Sequence, residues 1–168
     1  MRIAITGKIA SGKSFVSQYL CDTYNFKIFN FAQPIKKICK KVFDMKYKNR
    51  QLLQEFSEKC KEIDKDVWVN YLERAITKEI GNIVIDDLRF PNECQMLKKR
   101  GFIIIKLRLS PELQLQHIKE TYPDTYTEHL EGLDHISESM YDYLPHDYEI
   151  DVDEGDILNK IEEIISYK

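Results

Sequence analysis

What the chain lacks narrows its class before any motif is read. No apolar run approaches the roughly 18 residues of a membrane span, and no charged-then-apolar segment opens the chain, so neither a membrane protein nor a signal peptide is expected. The four cysteines, Cys21, Cys39, Cys60 and Cys94, stand far apart and form no Cys-x-x-Cys pair. That argues against a disulfide framework and a structural zinc site, and for reduced thiols in a cytoplasmic setting. The histidines His117, His129, His135 and His146 lack ligand-like spacing, so no transition-metal site is expected. No G-x-S-x-G elbow and no hydrolase-like carboxylate pair occurs. Repeats, low-complexity tracts and linkers are missing too, which leaves one domain across residues 1–168. A chain of that length folds without covalent staples.

Arginine is absent after position 108. Residues 1–108 hold 22 of the 25 Lys+Arg and 12 of the 28 Asp+Glu, a local balance of +10, whereas residues 109–168 balance at -13. A basic first part suits an anionic ligand, from a phosphate ester to nucleic acid, although solvated surface charge reads the same way.

What is present alternates strand with helix. Apolar strands are expected at Arg2–Thr6, Phe26–Phe31, Ile83–Ile85, Phe102–Leu109 and Tyr148–Ile150. Helices are expected at Lys13–Tyr24, from near Pro34, at Val67–Ile80 behind Asp66 as cap, from Pro91 to near Gly101, from Pro111 behind Ser110, near 136–143, and from about Asp156. Residues 45–65 read as helical in pieces, and 121–134 as a mobile excursion. Such alternation implies an α/β fold with a parallel sheet covered on both faces.

The strongest motif is Gly7-Lys8-Ile9-Ala10-Ser11-Gly12-Lys13-Ser14, a full G-x-x-x-x-G-K-[ST] between a strand and a helix. Its glycines let backbone N–H groups turn toward a polyphosphate, Lys13 reaches the β- and γ-phosphates, and Ser14 ligates Mg²⁺. Lys8, Ala10, Ser11 and Phe15 complete the expected ATP-binding stretch. A second constellation, Ile83-Val84-Ile85-Asp86-Asp87-Leu88-Arg89, puts carboxylates at a strand exit, where metal and reacting oxygens gather, with Arg89 near enough to hold a phosphate.

Five stretches occur in one order: the phosphate loop, Phe31-Ala32-Gln33-Pro34-Ile35-Lys36, Arg50 to Gln54, Asp66-Val67-Trp68-Val69, and Asp87-Leu88-Arg89-Phe90-Pro91-Asn92-Glu93. Together they resemble the deoxynucleoside monophosphate kinases of phages and large DNA viruses, with animal-type phosphomevalonate kinases as more distant relatives. His135-Ile136-Ser137-Glu138 and Asp147-Tyr148-Glu149-Ile150 followed by Gly155 also fit, so the resemblance spans nearly the whole chain. It implies a phosphate-loop kinase fold with a five-stranded parallel sheet and a lid at about 110–134, using ATP and Mg²⁺. By the same resemblance Gly7, Gly12, Lys13 and Ser14 hold ATP and magnesium. Asp87 sits near metal and acceptor phosphate, and Arg89 binds a transferring or acceptor phosphate. Lys36, Arg50, Gln54 and Trp68 match positions around the monophosphate. Relatives often carry Gly-Thr and then Arg after Gln54; Ser57 and Lys61 stand there instead, and lysine is a point charge where arginine is a planar fork.

Some readings stay double. Trp68 suits a hydrophobic core as well as a base platform. Lys36, Lys37, Lys40 and Lys41 form a helix face that solvent alone explains, Lys36 excepted. The expected lid contains no arginine and only Lys119 as a cation, so the cationic clamp on the phosphates is expected from Arg89 and Arg108. The reaction expected is phosphoryl transfer to a small-molecule deoxynucleoside monophosphate, in the host cytoplasm if the source is viral, with a homodimer as the family's common assembly. A kinase for another phosphorylated metabolite (phosphomevalonate or dephospho-coenzyme A) and a nucleotide-regulated nucleic-acid binder remain the alternatives.

Overall fold

The computed structural model describes residues 1–131, 133 and 140–167. Five strands form one sheet: β1 (Arg2–Gly7), β2 (Lys27–Phe29), β3 (Ile83–Leu88), β4 (Ile103–Arg108) and β5 (Tyr148–Asp151), in the order β2-β3-β1-β4-β5. Pairing is parallel where β1 meets β3 and β4, and where β4 meets β5. The central strand is apolar throughout its middle because both of its faces are covered. Ile3, Ala4 and Ile5 are fully buried there. Alternation along the strands then divides the core. Ile3, Ile5, Val84, Ile105, Leu107 and Ile150 pack with Val16 and Leu20 of helix α1 (Lys13–Tyr24) and with Ile161 and Ile164 of the C-terminal helix (Ile157–Ser166).

The chain forms two compact units, residues 1–28 with 81–168, and residues 29–80. The second unit holds α2 (Ala32–Val42), α3 (Arg50–Ile63) and α4 (Val67–Thr77). Its centre is Ile35, Cys39, Met45 and Trp68, flanked by Leu52, Leu53, Phe56 and Cys60. The expected fragments at 45–65 are instead one 14-residue helix. The reason is local: the Asn49 side chain accepts the Leu52 N–H at 3.0 Å and caps α3. Asp66 makes no such cap for α4; Asp64 organises that turn, its carboxylate accepting the Asp66 N–H at 2.9 Å and its carbonyl the Val67 N–H at 3.0 Å.

In the first unit, α5 (Pro91–Lys99) and α6 (Pro111–Thr121) start where their prolines predict, and the Ser110 hydroxyl accepts the Leu113 N–H at 3.3 Å. The segment expected as an irregular excursion is ordered over its described part, as a tight turn at Pro123–Thr125 and helix α7 (Tyr126–Glu131). Buried His129 holds it together: the ring stacks on Tyr122 at 4.0 Å between centroids, and Nδ1 donates to the Thr125 carbonyl at 2.8 Å. The second strand is shorter than its apolar run, and α2 opens at Ala32, before Pro34. The helix expected near 136–143 survives in the described residues as a turn at Tyr141–Tyr143, while the His135-Ile136-Ser137-Glu138 match lies outside them. No helix among the described residues is long and apolar enough to cross a membrane.

Candidate active site

The phosphate loop runs from the carboxyl end of β1 into α1, and its shape follows from its glycines. Gly7 has φ +149°, and a Cβ there would lie 2.6 Å from the Leu107 carbonyl oxygen and 2.7 Å from Ser11 Oγ. Gly12 has φ +90° and precedes α1 without a side chain to cap it. The first amides of a helix have no intrahelical acceptor, so this end is built to receive an anion. Substituting Gly7 by alanine should cost about 1–3 kcal/mol through overpacking, visible as a lower melting temperature, together with weakened nucleotide binding. An unchanged melting curve and unchanged binding would show that the loop does not need this close approach.

Lys13 lies across the loop. Its ammonium donates to the Gly7 carbonyl at 2.7 Å and the Lys8 carbonyl at 2.5 Å, with Ser11 Oγ at 3.5 Å. The loop thereby holds its own cation where phosphate oxygens would draw it outward. Ser14, the next residue, donates to Asp86 Oδ2 at 3.4 Å, and buried Ser17 reaches the same oxygen at 3.2 Å.

This corrects one expectation. Of the two adjacent carboxylates, the one touching the Ser14 hydroxyl is that of Asp86, whereas the family resemblance implied Asp87 beside the metal. Along a strand successive side chains point to opposite faces, so only one of the pair can face α1. Both are half-buried. The strand end itself is tied down: the Thr6 hydroxyl donates to the Leu88 carbonyl at 2.9 Å, across a register shift between Ala4 and Thr6. Glu93, buried at the start of α5, accepts the N–H groups of Arg89 at 2.9 Å and Phe90 at 3.0 Å. The glutamate of the Asp-Leu-Arg-Phe-Pro-Asn-Glu run thus fixes the backbone that carries Arg89.

Arg108 does not stand ready as a clamp. Its guanidinium pairs with Asp151 and, at 3.3 Å, with Glu149, both on β5. Two carboxylates already balance its charge. Asp153 accepts the Ser110 N–H at 3.1 Å, and hydrogen bonding from Ser110 holds its carboxyl below the usual range. Burial pushes the Cys21, Cys39 and Cys94 thiols up, which disfavours thiolate chemistry at these positions. No group of three or more His, Cys, Asp or Glu gathers as a metal cage among the described residues.

The remaining expected residues belong to the second unit. Arg50, Gln54, Ser57 and Lys61 occur at i, i+4, i+7 and i+11 of α3, a single stripe of that helix, with Lys61 paired to Glu58 at 2.9 Å. Leu53, Phe56 and Cys60 lie on the core side. Lys36 is exposed on α2. Trp68 turns out to be a core residue: it is 7% exposed, its Nε1 donates to the Ser57 carbonyl at 3.4 Å, and Phe56 lies against it. An indole so enclosed is not a platform for a base, which corrects its assignment to the substrate.

The donor set fits the groups that the loop implies. Loop amides and an ammonium suit a polyphosphate, and a hydroxyl beside a carboxylate suits a hard, oxygen-seeking cation such as Mg²⁺. The chain is similar to known proteins in sequence and in fold. A relative from Acanthamoeba polyphaga mimivirus, named as a candidate deoxynucleotide monophosphate kinase, is 25% identical, with 62% of this chain and 72% of that protein covered. Among solved structures, shikimate kinase from Acinetobacter baumannii in complex with shikimate matches with a TM-score of 0.59 at 18% identity, covering 99% of this chain and 93% of its own. Shikimate kinase from Bacteroides thetaiotaomicron matches with a TM-score of 0.56 at 11% identity, covering 99% and 98%. These likenesses establish the fold as that of phosphate-loop kinases. The AAA domain family matches residues 3–129, from the first strand through the phosphate loop and the Asp-Leu-Arg run to α7, and the chain belongs to that family.

Proposed function

We propose that the chain is an ATP-dependent phosphotransferase that converts a nucleoside monophosphate, a deoxynucleotide by preference, to the diphosphate. The observation that carries this reading is the Lys13–Ser14–Asp86 arrangement at the mouth of α1. A movable cation, a hydroxyl and a carboxylate stand together at a helix end that favours anions. Ser14 and Asp86 would hold magnesium, and the loop from Gly7 to Ser14, with Phe15 after it, would hold the polyphosphate. When bound, magnesium-ATP supplies the phosphoryl group and offsets part of its charge.

The chain's own work is mainly electrostatic. Lys13 exchanges the carbonyls of Gly7 and Lys8 for phosphate oxygens, and Arg89, on a backbone fixed by Glu93, takes a phosphate of donor or acceptor. The acceptor is already an ionised phosphate, so no strong general base is required, in keeping with His117 and His129 being engaged in hydrogen bonds to backbone carbonyls. Asp87 would act on the acceptor. Within the second unit, the α3 stripe of Arg50, Gln54, Ser57 and Lys61, together with Lys36, is a set of groups suited to recognising a monophosphate. The test is ADP release from ATP with a panel of the common ribo- and deoxyribonucleoside monophosphates plus phosphomevalonate. Turnover with one or more deoxynucleoside monophosphates is expected. Turnover confined to phosphomevalonate would move the chain to the metabolite kinases.

A further inference from the structure

Helix α6 reaches the phosphate loop through two side chains that the proposed chemistry leaves unused. Gln114, 5% exposed, donates from Nε2 to the Ile9 carbonyl at 3.0 Å. His117, nearly one turn further on, has Nδ1 at 3.1 Å from the Ala10 carbonyl. A carbonyl oxygen only accepts, so His117 donates, and its Nδ1 carries the proton. The two acceptors are consecutive peptides at the turn of the loop. Ala10 itself sits at φ +64°, a left-handed conformation that a residue with a Cβ holds only when its surroundings impose it.

A peptide is planar, so pinning its oxygen also fixes the direction of the following N–H. Holding the Ile9 oxygen aims the Ala10 N–H, and holding the Ala10 oxygen aims the Ser11 N–H, which closes the turn on the Lys8 carbonyl at 3.3 Å. We infer that Gln114 and His117 are positioning residues for the nucleotide: they keep the phosphate loop in its anion-receiving shape before ATP arrives. The inference rests on the kinase reading. It makes α6 a brace for the donor site. A buried amide such as that of Gln114 is costly unless bonded, so its partner is held firmly.

The test uses the full chain with Gln114→Met and His117→Leu, singly and together, and His117→Asn, whose amide nitrogen replaces Nδ1. Magnesium-ATP affinity is titrated without acceptor, and KM for ATP, KM for the acceptor and the melting temperature are measured alongside. The double variant is expected to bind magnesium-ATP about tenfold more weakly, as two lost hydrogen bonds imply. Its KM for ATP should rise in step and its acceptor KM should hold, while His117→Asn stays within about twofold of wild type. Should the leucine and methionine variants fail to fold, Gln114→Glu keeps the shape while setting a carboxylate oxygen against the Ile9 carbonyl, and it too should bind ATP more weakly. Wild-type ATP affinity in the double variant or in Gln114→Glu would overturn the inference. So would equal rises in both KM values, or a loss that asparagine does not restore. A wild-type chain that binds no magnesium-ATP would overturn the kinase reading together with it; wild-type binding with unaffected variants overturns this inference alone.

Discussion

Replacing Lys13 by alanine should lower the turnover number by on the order of 10²–10³-fold while leaving the protein folded. The ammonium spans the loop between the Gly7 and Lys8 carbonyls and is not part of the packed interior, and in the proposed function it is what the incoming phosphates meet. Its removal exposes two backbone oxygens to water, which water can satisfy, so the melting temperature should move by only a few degrees. What is lost is a positive charge that needs little reorganisation when charge shifts toward the bridging oxygen. Lys13→Arg should not restore the rate. A broad planar guanidinium does not fit the space between the two carbonyls that a compact ammonium fills. ADP release measured on both variants, with circular dichroism as the fold control, decides the point. Near-normal turnover by folded Lys13→Ala would remove the phosphotransferase assignment.

The second large effect separates two neighbouring carboxylates. Asp86→Asn should raise the magnesium concentration needed for half-maximal rate by about 10- to 100-fold, because the amide offers neither the charge nor both oxygens that Asp86 presents beside Ser14 and Ser17. Asp87→Asn should leave that requirement nearly unchanged and instead raise KM for the monophosphate. Magnesium titrations of the two variants at saturating ATP make the comparison direct. If Asp87→Asn shifts the magnesium requirement and Asp86→Asn does not, the assignment of the two residues is reversed.

Why the resemblance implied Asp87 is instructive. The Asp-Leu-Arg spacing marks a family motif, but which carboxylate meets α1 depends on strand parity and on the register shift between Ala4 and Thr6, and neither is written in residue types. The sheet itself was legible because its strands are short apolar runs bounded by turn residues. Helices α5 and α6 were legible because Pro91 and Pro111 mark their first turns. The stripe on α3 was hidden. Its hydrophilic residues look fragmentary until Asn49 is recognised as the cap that makes one helix of them, and only then do Arg50, Gln54, Ser57 and Lys61 share a side. Trp68 and Arg108 show a different limit. Residue type told what each side chain is able to do, whereas burial around the indole and the β5 carboxylates beside the guanidinium determine what each does here. Gln114 and His117 carried no signal at all, since a glutamine and a histidine on a helix say nothing until a loop carbonyl is found within reach.

The hydrogen bond from Thr6 to the Leu88 carbonyl has a mechanical meaning. It clamps the two strand ends that carry the phosphate loop and the Asp86–Arg89 run, and does so in a dry place where no water competes for the bond. The backbones that carry Lys13 and Asp86 therefore belong to one stiff chassis. Movement of the Lys13 ammonium then starts from a backbone whose distance to that of Asp86 is set by the sheet.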